Sequence, residues 1–329
     1  MRSPELNPEN YFNVYRNSYD RLDDIAMNDY NTPPEYLDDN GHLIEEDADE
    51  FMDLVLSDEA FEDSNPDDYQ TVSNINERKD RLTENNLIIA SNFSYTIDKR
   101  QSIFDEDFSI FKLKVEFAGN LLSTISNIAG LKKNSDGRYE IFNVAYSQYI
   151  KTEFDYIKHW DLGRKNVFAI RSFFGIAIPY GNSTSIPFSK SFFAGGTNDN
   201  RAWTAYDLGP GSSDSNNEFN EANMKIALSA EYRYNIFGAF NGAFFVDVGN
   251  IWNVLDSEED PKAVFTGLKS LKDIAIGSGF GLRYDFGFFV LRGDVGFKTY
   301  DPSFEVGERW FKKFNFSNAV YNIGINYPF

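Results

Sequence analysis

Ile274-Ala275-Ile276-Gly277-Ser278-Gly279-Phe280-Gly281-Leu282-Arg283-Tyr284-Asp285-Phe286 has a period of two. Ile274, Ile276, Phe280, Leu282, Tyr284 and Phe286 share one face, and Ala275, Gly277, Gly279, Gly281, Arg283 and Asp285 share the other. Strict alternation marks a strand with one apolar face. The run is also longer than the roughly 9–11 residues that a tilted strand needs to cross a bilayer. The pattern continues outward in both directions. Downstream, Phe289, Leu291, Val295 and Phe297 oppose Arg292, Asp294, Gly296 and Lys298. At the end of the chain, Ala319, Tyr321, Ile323, Ile325, Tyr327 and Phe329 oppose Val320, Asn322, Gly324 and Asn326. Upstream, Phe244, Val246 and Val248 oppose Phe245, Asp247 and Gly249, and Met224 to Tyr234 alternate against Lys225 to Arg233. Residues 88–98, 111–118, 150–156 and 168–176 read the same way, giving about nine strands after residue 86.

A soluble sandwich also alternates, with its apolar faces turned inward. Three features favour a membrane barrel: strand length, Tyr and Phe at strand ends where aromatic girdles belong, and a polar face mixing Gly with charges of both signs. In lipid, such strands must close into a ring to satisfy their backbone groups.

Composition agrees. Of 329 residues, 17% are aromatic, with 32 Phe and 19 Tyr, the kinds of side chain that fit a pleated surface. There is no Cys, which excludes a disulfide scaffold and a thiolate metal site. Of 51 acidic residues, 24 fall in residues 1–86, against 6 of the 31 basic ones, so the remainder is nearly neutral. A chain this acidic, with no clustered Lys and Arg, is not built for nucleic acid. Residues 1–86 are expected to be an acidic, loop-rich leader, an extracellular loop with a short strand at Tyr11, Phe12, Val14 and Tyr15. Within it Phe51, Leu54, Val55 and Phe61 could line one side of a short helix. Asp38-Asp39-Asn40-Gly41 has the flavour of a calcium loop, but the loop would start at Tyr36, which cannot ligate.

Nucleotide binding and hydrolysis find little support. Gly277 and Gly279 lie inside an alternating strand with no helix to follow. No Gly-x-Ser-x-Gly elbow accompanies the two histidines, His42 and His159, and both are expected at the surface.

The segment after residue 176 is dense in signals. It reads Ile178-Pro179-Tyr180-Gly181-Asn182, then Ile186-Pro187-Phe188, Phe192-Phe193-Ala194-Gly195-Gly196, Thr197-Asn198-Asp199-Asn200-Arg201-Ala202-Trp203 and Leu208-Gly209-Pro210-Gly211. This resembles the long sixth extracellular loop of the BamA/TamA-type outer-membrane assembly factors, which folds back into the barrel and carries an Arg-Gly-aromatic motif. Arg201-Ala202-Trp203 stands in the motif's place, with Ala where Gly is usual. Phe245-Val246-Asp247-Val248-Gly249-Asn250 resembles the family's Phe-x-Asp-x-Gly strand. The resemblance implies a lumen latch in which Arg201 meets Asp247, and by parity Glu231 stands close by. Tyr321, Ile323, Ile325, Tyr327 and Phe329 resemble the aromatic-ended sorting signal of such barrels, and Gly324, Asn326 and Pro328 beside them suit a weak seam.

The implied fold is all-β: residues 87–329 as the C-terminal part of an antiparallel sixteen-stranded transmembrane barrel, with residues 177–222 as a loop in its lumen. Met1 to Leu6 lack the apolar core of a signal peptide, and no apolar run is long enough for a spanning helix. The upstream strands, signal and POTRA domains of the family are therefore expected to lie outside this sequence. The implied role is non-enzymatic and without cofactors: assembly, insertion or translocation of proteins at the bacterial outer membrane. Implied partners are outer-membrane lipids, client outer-membrane proteins, and periplasmic or lipoprotein accessory subunits. A passive channel or two-partner secretion pore on the same barrel remains open as a second reading, and a soluble β-sandwich binding module as a third.

Overall fold

A computed structural model describes residues 2–3, 7–83, 85–102, 105–134, 137–213, 220–256 and 260–329. The chain divides into two units, Met1–Leu87 with Phe142–Ala145, and Ile88–Ile141 with Tyr146–Phe329.

The first unit is helical. Its helices are α1 (Tyr11–Val14), α2 (Arg16–Asp24), α3 (Ala48–Leu56), α4 (Glu59–Ser64) and α5 (Pro66–Thr83). Two of them start on a clear local signal. Pro66 opens α5, where a missing N–H costs nothing, and the Asp58 side chain caps α4 by accepting from Ala60 N at 3.0 Å and Phe61 N at 3.2 Å. The expected loop-rich leader is thus corrected to a folded helical unit, and the all-β class to a mixed one. Tyr11, Phe12, Tyr15, Tyr19 and Leu22 recur at helical spacing and are buried, so the expected strand at Tyr11–Tyr15 does not form. Phe51, Val55 and Phe61 do lie on helices, all buried, with Met52, Val72, Ile75 and Leu82 also in the core. The acidic residues project outward from that core, which is why charge alone disguised it. Arg2–Ser3 pairs antiparallel with Asn86–Leu87, which in turn neighbours Val144–Tyr146 in a small sheet.

Asp38 to Gly41 form a tight turn. The Asp38 carboxylate accepts from Asn40 N at 2.8 Å and His42 N at 2.9 Å, which holds it below the usual carboxylate range. Its oxygen is occupied in shaping the turn. His42 Nδ1 lies 2.9 Å from Asp23 Oδ2, and that hydrogen bond, reinforced by the carboxylate's charge, raises the imidazole above its ordinary value. The linked stability is fully present below the unfolded value of about 6.5 and fades as pH rises through the raised folded value. An NMR titration is expected to place the His42 midpoint above that of an unfolded-peptide His, and Asp23→Asn should bring it back. Identical midpoints in the two proteins would remove the pairing.

The second unit is a nine-stranded antiparallel sheet in which strands follow sequence order. Numbering only this sheet, the strands are β1 (Ala90–Asp98), β2 (Ser109–Ala118), β3 (Tyr149–Asp161), β4 (Val167–Pro179), β5 (Met224–Phe237), β6 (Phe240–Trp252), β7 (Ala275–Asp285), β8 (Val290–Tyr300) and β9 (Val320–Ile325). β1 and β9 are its edges, and the sheet does not close. The connections alternate in length. At one end they are short (99–108, 162–166, 238–239 and 286–289); at the other they are long (119–148, 180–223, 253–274 and 301–319). One helix, α6 (Asn120–Ala129), lies in the first long connection.

Burial on this sheet is inverted relative to a soluble protein. Phe93 (60%), Phe244 (56%) and Ile323 (80%) are exposed on one face, with Phe154, Phe174, Leu228, Phe280 and Leu291 also exposed. On the other face Glu231, Asp247, Arg283 and Arg292 are at most 2% exposed. A large exposed apolar surface and a set of buried charges are each informative, and together they describe a sheet whose oily side is left uncovered by the described residues of this chain.

Candidate functional site

The polar face of β5–β8 receives the long loop that leaves β4. The sequence places its start at residue 177, whereas β4 runs to Pro179, so the loop proper begins at 180. Residues 214–219 of the expected 177–222 segment lie outside the described residues.

The loop carries its own apolar anchor. Ile186, Phe192, Ala194, Ala202, Trp203, Leu208 and Ala222 pack with Tyr149, Ala177, Ile251 and Ala275 of the strands. Two turns need glycine. At Gly195 φ is +92°, and a Cβ there would stand 2.1 Å from Thr204 O. At Gly209 φ is +79°, and a Cβ would meet Asn250 Oδ1 at 2.3 Å. Gly196 (φ +101°) donates to Trp203 O at 2.8 Å, and Pro210 follows Gly209 as the turn returns toward β6. Polar ties fix the loop to the other half of the sheet as well: Lys190 Nζ donates to Glu116 Oε1 on β2 at 2.8 Å, and Lys151 Nζ on β3 donates to Lys190 O at 2.8 Å.

Arg201 sits at the tip and is 1% exposed. Its Nε donates to Asp247 Oδ2 at 2.9 Å and its Nη2 to Asp247 Oδ1 at 3.0 Å, the paired geometry a planar guanidinium makes with a carboxylate. Its backbone N adds a third bond to Asp247 Oδ2 at 3.1 Å. Nη1 donates to Glu231, and the guanidinium lies 3.6 Å from the centroid of the Phe245 ring. Strand register explains the meeting: Asp247 stands opposite Ser229 and Phe245 opposite Glu231 on β5, so both carboxylates rise from neighbouring positions of one face.

The cluster is wider than the three residues singled out from the sequence. Arg233 Nε donates to Glu231 Oε1 at 2.7 Å, and Arg283 Nη2 to Glu231 Oε2 at 3.1 Å. Asp294 lies 2.6 Å from Arg283 Nη1, accepts from Arg292 Nη1 at 2.8 Å, and is 3.8 Å from Arg201 Nη1. Arg292 Nη2 donates to Thr197 O at 2.8 Å, and Asn322 Nδ2 on β9 donates to Arg201 O at 2.9 Å. The loop tip is therefore tied to β5, β6, β8 and β9. Arg233, Arg283, Arg292, Asp294 and Asn322 were visible in the sequence as polar-face residues, but nothing in one strand's alternation says which of them converge.

The Ala at 202 is accommodated by glycines of the sheet. Ala202 is fully buried, and a Cβ at Gly277 would lie 2.7 Å from its Cβ and 2.4 Å from Asn200 Oδ1. A Cβ at Gly296 would lie 2.3 Å from Arg201 O. These two polar-face glycines form the groove in which the tip rests.

The C-terminal residues separate into two groups. Tyr321, Ile323 and Ile325 are exposed on the apolar face. Tyr327 and Phe329 do not share that face, which corrects the alternation read through to the chain end. β9 stops at Ile325, Asn326 takes φ +65°, and its N bonds Val290 O at 2.6 Å. The turn carries the tail onto the polar face, where Arg233 stacks 4.1 Å from the Tyr327 ring and Arg233 Nη2 donates to Phe329 O at 3.1 Å. His159, expected at the surface, is 6% exposed and packs 4.3 Å from the Phe108 ring. β3 continues to Asp161, and parity then turns His159 to the polar face.

A family model described as Omp85 superfamily domain matches residues 54–318. Two solved structures are similar at 12% identity: BamA from Haemophilus ducreyi lacking POTRA domains 1–3, with a TM-score of 0.37 over 74% of this chain and 55% of that one, and CdiB from Acinetobacter baumannii, with a TM-score of 0.40 over 72% of this chain and 33% of that one. The chain thus spans about half of the first and a third of the second. No curated protein matches the chain.

Proposed function

The chain belongs to the Omp85 superfamily, whose members are outer-membrane transporters and assembly factors rather than enzymes, and from that premise we propose that it takes part in inserting client proteins into the outer membrane through a weak barrel seam at β9, with its loop held as a latch by Arg201, Asp247 and Glu231. In this reading the nine strands are part of a sixteen-stranded barrel, the apolar face meets lipid, and the polar face lines an aqueous lumen.

The observation that carries the reading is the loop tip bound at the polar face beside β9, a strand that pairs with β8 over a short stretch only. β8 and β9 pair only from Leu291↔Ile325 to Gly296↔Val320, whereas β5 and β6 pair from Phe240↔Phe237 to Trp252↔Met224. Beyond Ile325 the backbone turns away at Asn326. A strand edge offers N–H and C=O groups on which an incoming strand can template. Because Asn322 of β9 also holds Arg201 O, loop and edge share one hydrogen bond.

The protein lacks Cys, so a single Ile323→Cys carrying a photocrosslinker is a clean probe. It is expected to capture a client strand during outer-membrane protein assembly, while the same probe at Phe244 in the middle of the sheet captures none. Equal capture at both positions, or none at Ile323 while assembly proceeds, would argue against templating at β9. The second reading, a two-partner secretion or passive pore, is favoured by the wide polar face itself. It predicts passage of a secreted substrate or ion conductance, with no stable crosslink at β9.

A further inference from the structure

We propose that α6 is an in-plane membrane helix at the long-loop end of the sheet, with Leu121, Ile125 and Ile128 seated among lipid acyl chains and Lys132 and Lys133 at the level of the headgroup phosphates. The proposal rests on the reading that the apolar face of the sheet meets lipid, and the experiment below separates the two.

The helix is fixed where it is. Only Gly119 separates it from β2, and Gly119 (φ +77°) approaches so closely that a Cβ would lie 2.5 Å from Ser147 O. Leu122 and Ser126 are buried on the side that faces the protein, and Asn120 Oδ1 accepts from Tyr180 OH at 2.6 Å. A second side is left uncovered. Leu121 (61%), Ile125 (45%) and Ile128 (83%) stand at i, i+4 and i+7, which places them on one stripe. Asn120, Ser123, Thr124 and Asn127 make up the remaining side, and the helix contains no charged residue. A helix with one apolar stripe and one polar stripe is suited to the boundary between acyl chains and water.

What covers the stripe follows from continuity. β2 ends at Ala118, and its last outward residue, Phe117, is itself exposed in line with Phe93, Tyr95 and Ile97 of the neighbouring β1. The uncovered stripe of α6 begins four residues beyond Phe117, with Gly119 alone between strand and helix, and in this proposal it carries the oily surface past the strand end. Leu131 is exposed directly after the helix, and Lys132 and Lys133 follow, both exposed. Apolar stripe, then paired lysines, is the order met on passing outward from acyl chains to phosphates, with the long lysine stems allowing the ammonium groups to reach them.

Single-cysteine variants of the full chain test this directly in phosphatidylcholine vesicles containing phosphatidylglycerol. An environment-sensitive fluorophore at Ile128→Cys, and separately at Ile125→Cys, is expected to emit at shorter wavelength than one at Asn127→Cys. It should lose intensity to lipid spin-labelled near the headgroup end of its acyl chain, while the label at Asn127→Cys loses intensity to aqueous iodide. Iodide quenching at 128 and 125 as strong as at 127 would overturn the proposal by placing the stripe in water. Protection from both quenchers would overturn it by showing a protein cover, from a partner or a second copy. A label at Phe244→Cys reports the sheet: if it is quenched by lipid and the α6 labels are not, only the helix proposal fails, whereas loss of lipid quenching at Phe244 removes the membrane reading beneath it.

Discussion

Replacing Arg201 with alanine is expected to release the long loop from the sheet and expose it to protease, with loss of client insertion. The magnitude follows from what remains. Asp247, which accepts three bonds from Arg201, would be left buried with its paired donors gone, and Glu231 would lose one of its three guanidinium partners. Removing one member of a buried ion pair costs about 3–5 kcal/mol, because an uncompensated charge stays behind. If loop opening is fast relative to cleavage, cleavage tracks the open population, and a loss of about 3 kcal/mol raises the cleavage rate on the order of 10²-fold. Arg201→Lys should fall between, since it keeps the charge but not the paired fork on Asp247. The double variant Arg201→Ala/Asp247→Ala should recover part of the loop protection, because the stranded carboxylate is gone. Limited proteolysis of residues 180–213 in reconstituted vesicles, beside an insertion assay, reads all of these. Unchanged cleavage and insertion in Arg201→Ala would leave the ion pair a bystander. Loosened loops with full insertion would keep the ties and discard the latch.

Much of this was legible because strands and motifs leave local signals. Alternation over residues 274–298 identifies the strand faces without any long-range information, since parity alone assigns Arg283, Arg292 and Asp294 to the polar side. The Arg201 and Asp247 motifs resembled a known pair, and register then brings Glu231 beside them. What could not be read falls into two kinds. Convergence is one: Arg233, Arg283, Arg292, Asp294 and Asn322 meet around the loop tip only through the curvature and register of five adjacent strands, which no single stretch encodes. Masking is the other. In residues 1–83 the acidic composition reads as solvated loop, while Tyr11, Phe12, Tyr15, Tyr19 and Leu22 carry a helical period whose first turn, on its own, has the look of a short apolar strand. At the chain end, alternation continues through Tyr327 and Phe329 although the backbone turns at Asn326, and a side-chain pattern has no way to report a positive φ.

Gly296→Val is expected to mimic loss of Arg201 without touching a charge. Gly296 lies on β8 under the loop tip, and a Cβ there would sit 2.3 Å from Arg201 O and 2.9 Å from Ala202 N. Both are backbone atoms, so no flexible side chain can swing aside, and either the strand or the tip must move. Overpacking a tight site costs about 1–3 kcal/mol, and here the strain is directed at the one segment whose displacement would also lengthen the Arg201–Asp247 and Asn322–Arg201 bonds. Gly293→Val on the same strand is the control, because nothing lies within 4 Å of its Cβ position and it points away from the loop. Both variants place the same side chain on the same strand, and only at 296 does it meet the main chain of the loop. Faster cleavage of the loop in Gly296→Val and wild-type behaviour in Gly293→Val are the expected outcome. Equal behaviour of the two would mean that the tip does not rest on β8 and that Gly277 and Gly296 are not what makes room for an alanine at 202. A further comparison tests the groove from the other side: Ala202→Gly removes the methyl that stands 2.7 Å from the Cβ position of Gly277. It should therefore soften the effect of Gly277→Ala while leaving Gly296→Val as damaging as before, since that clash is with main chain.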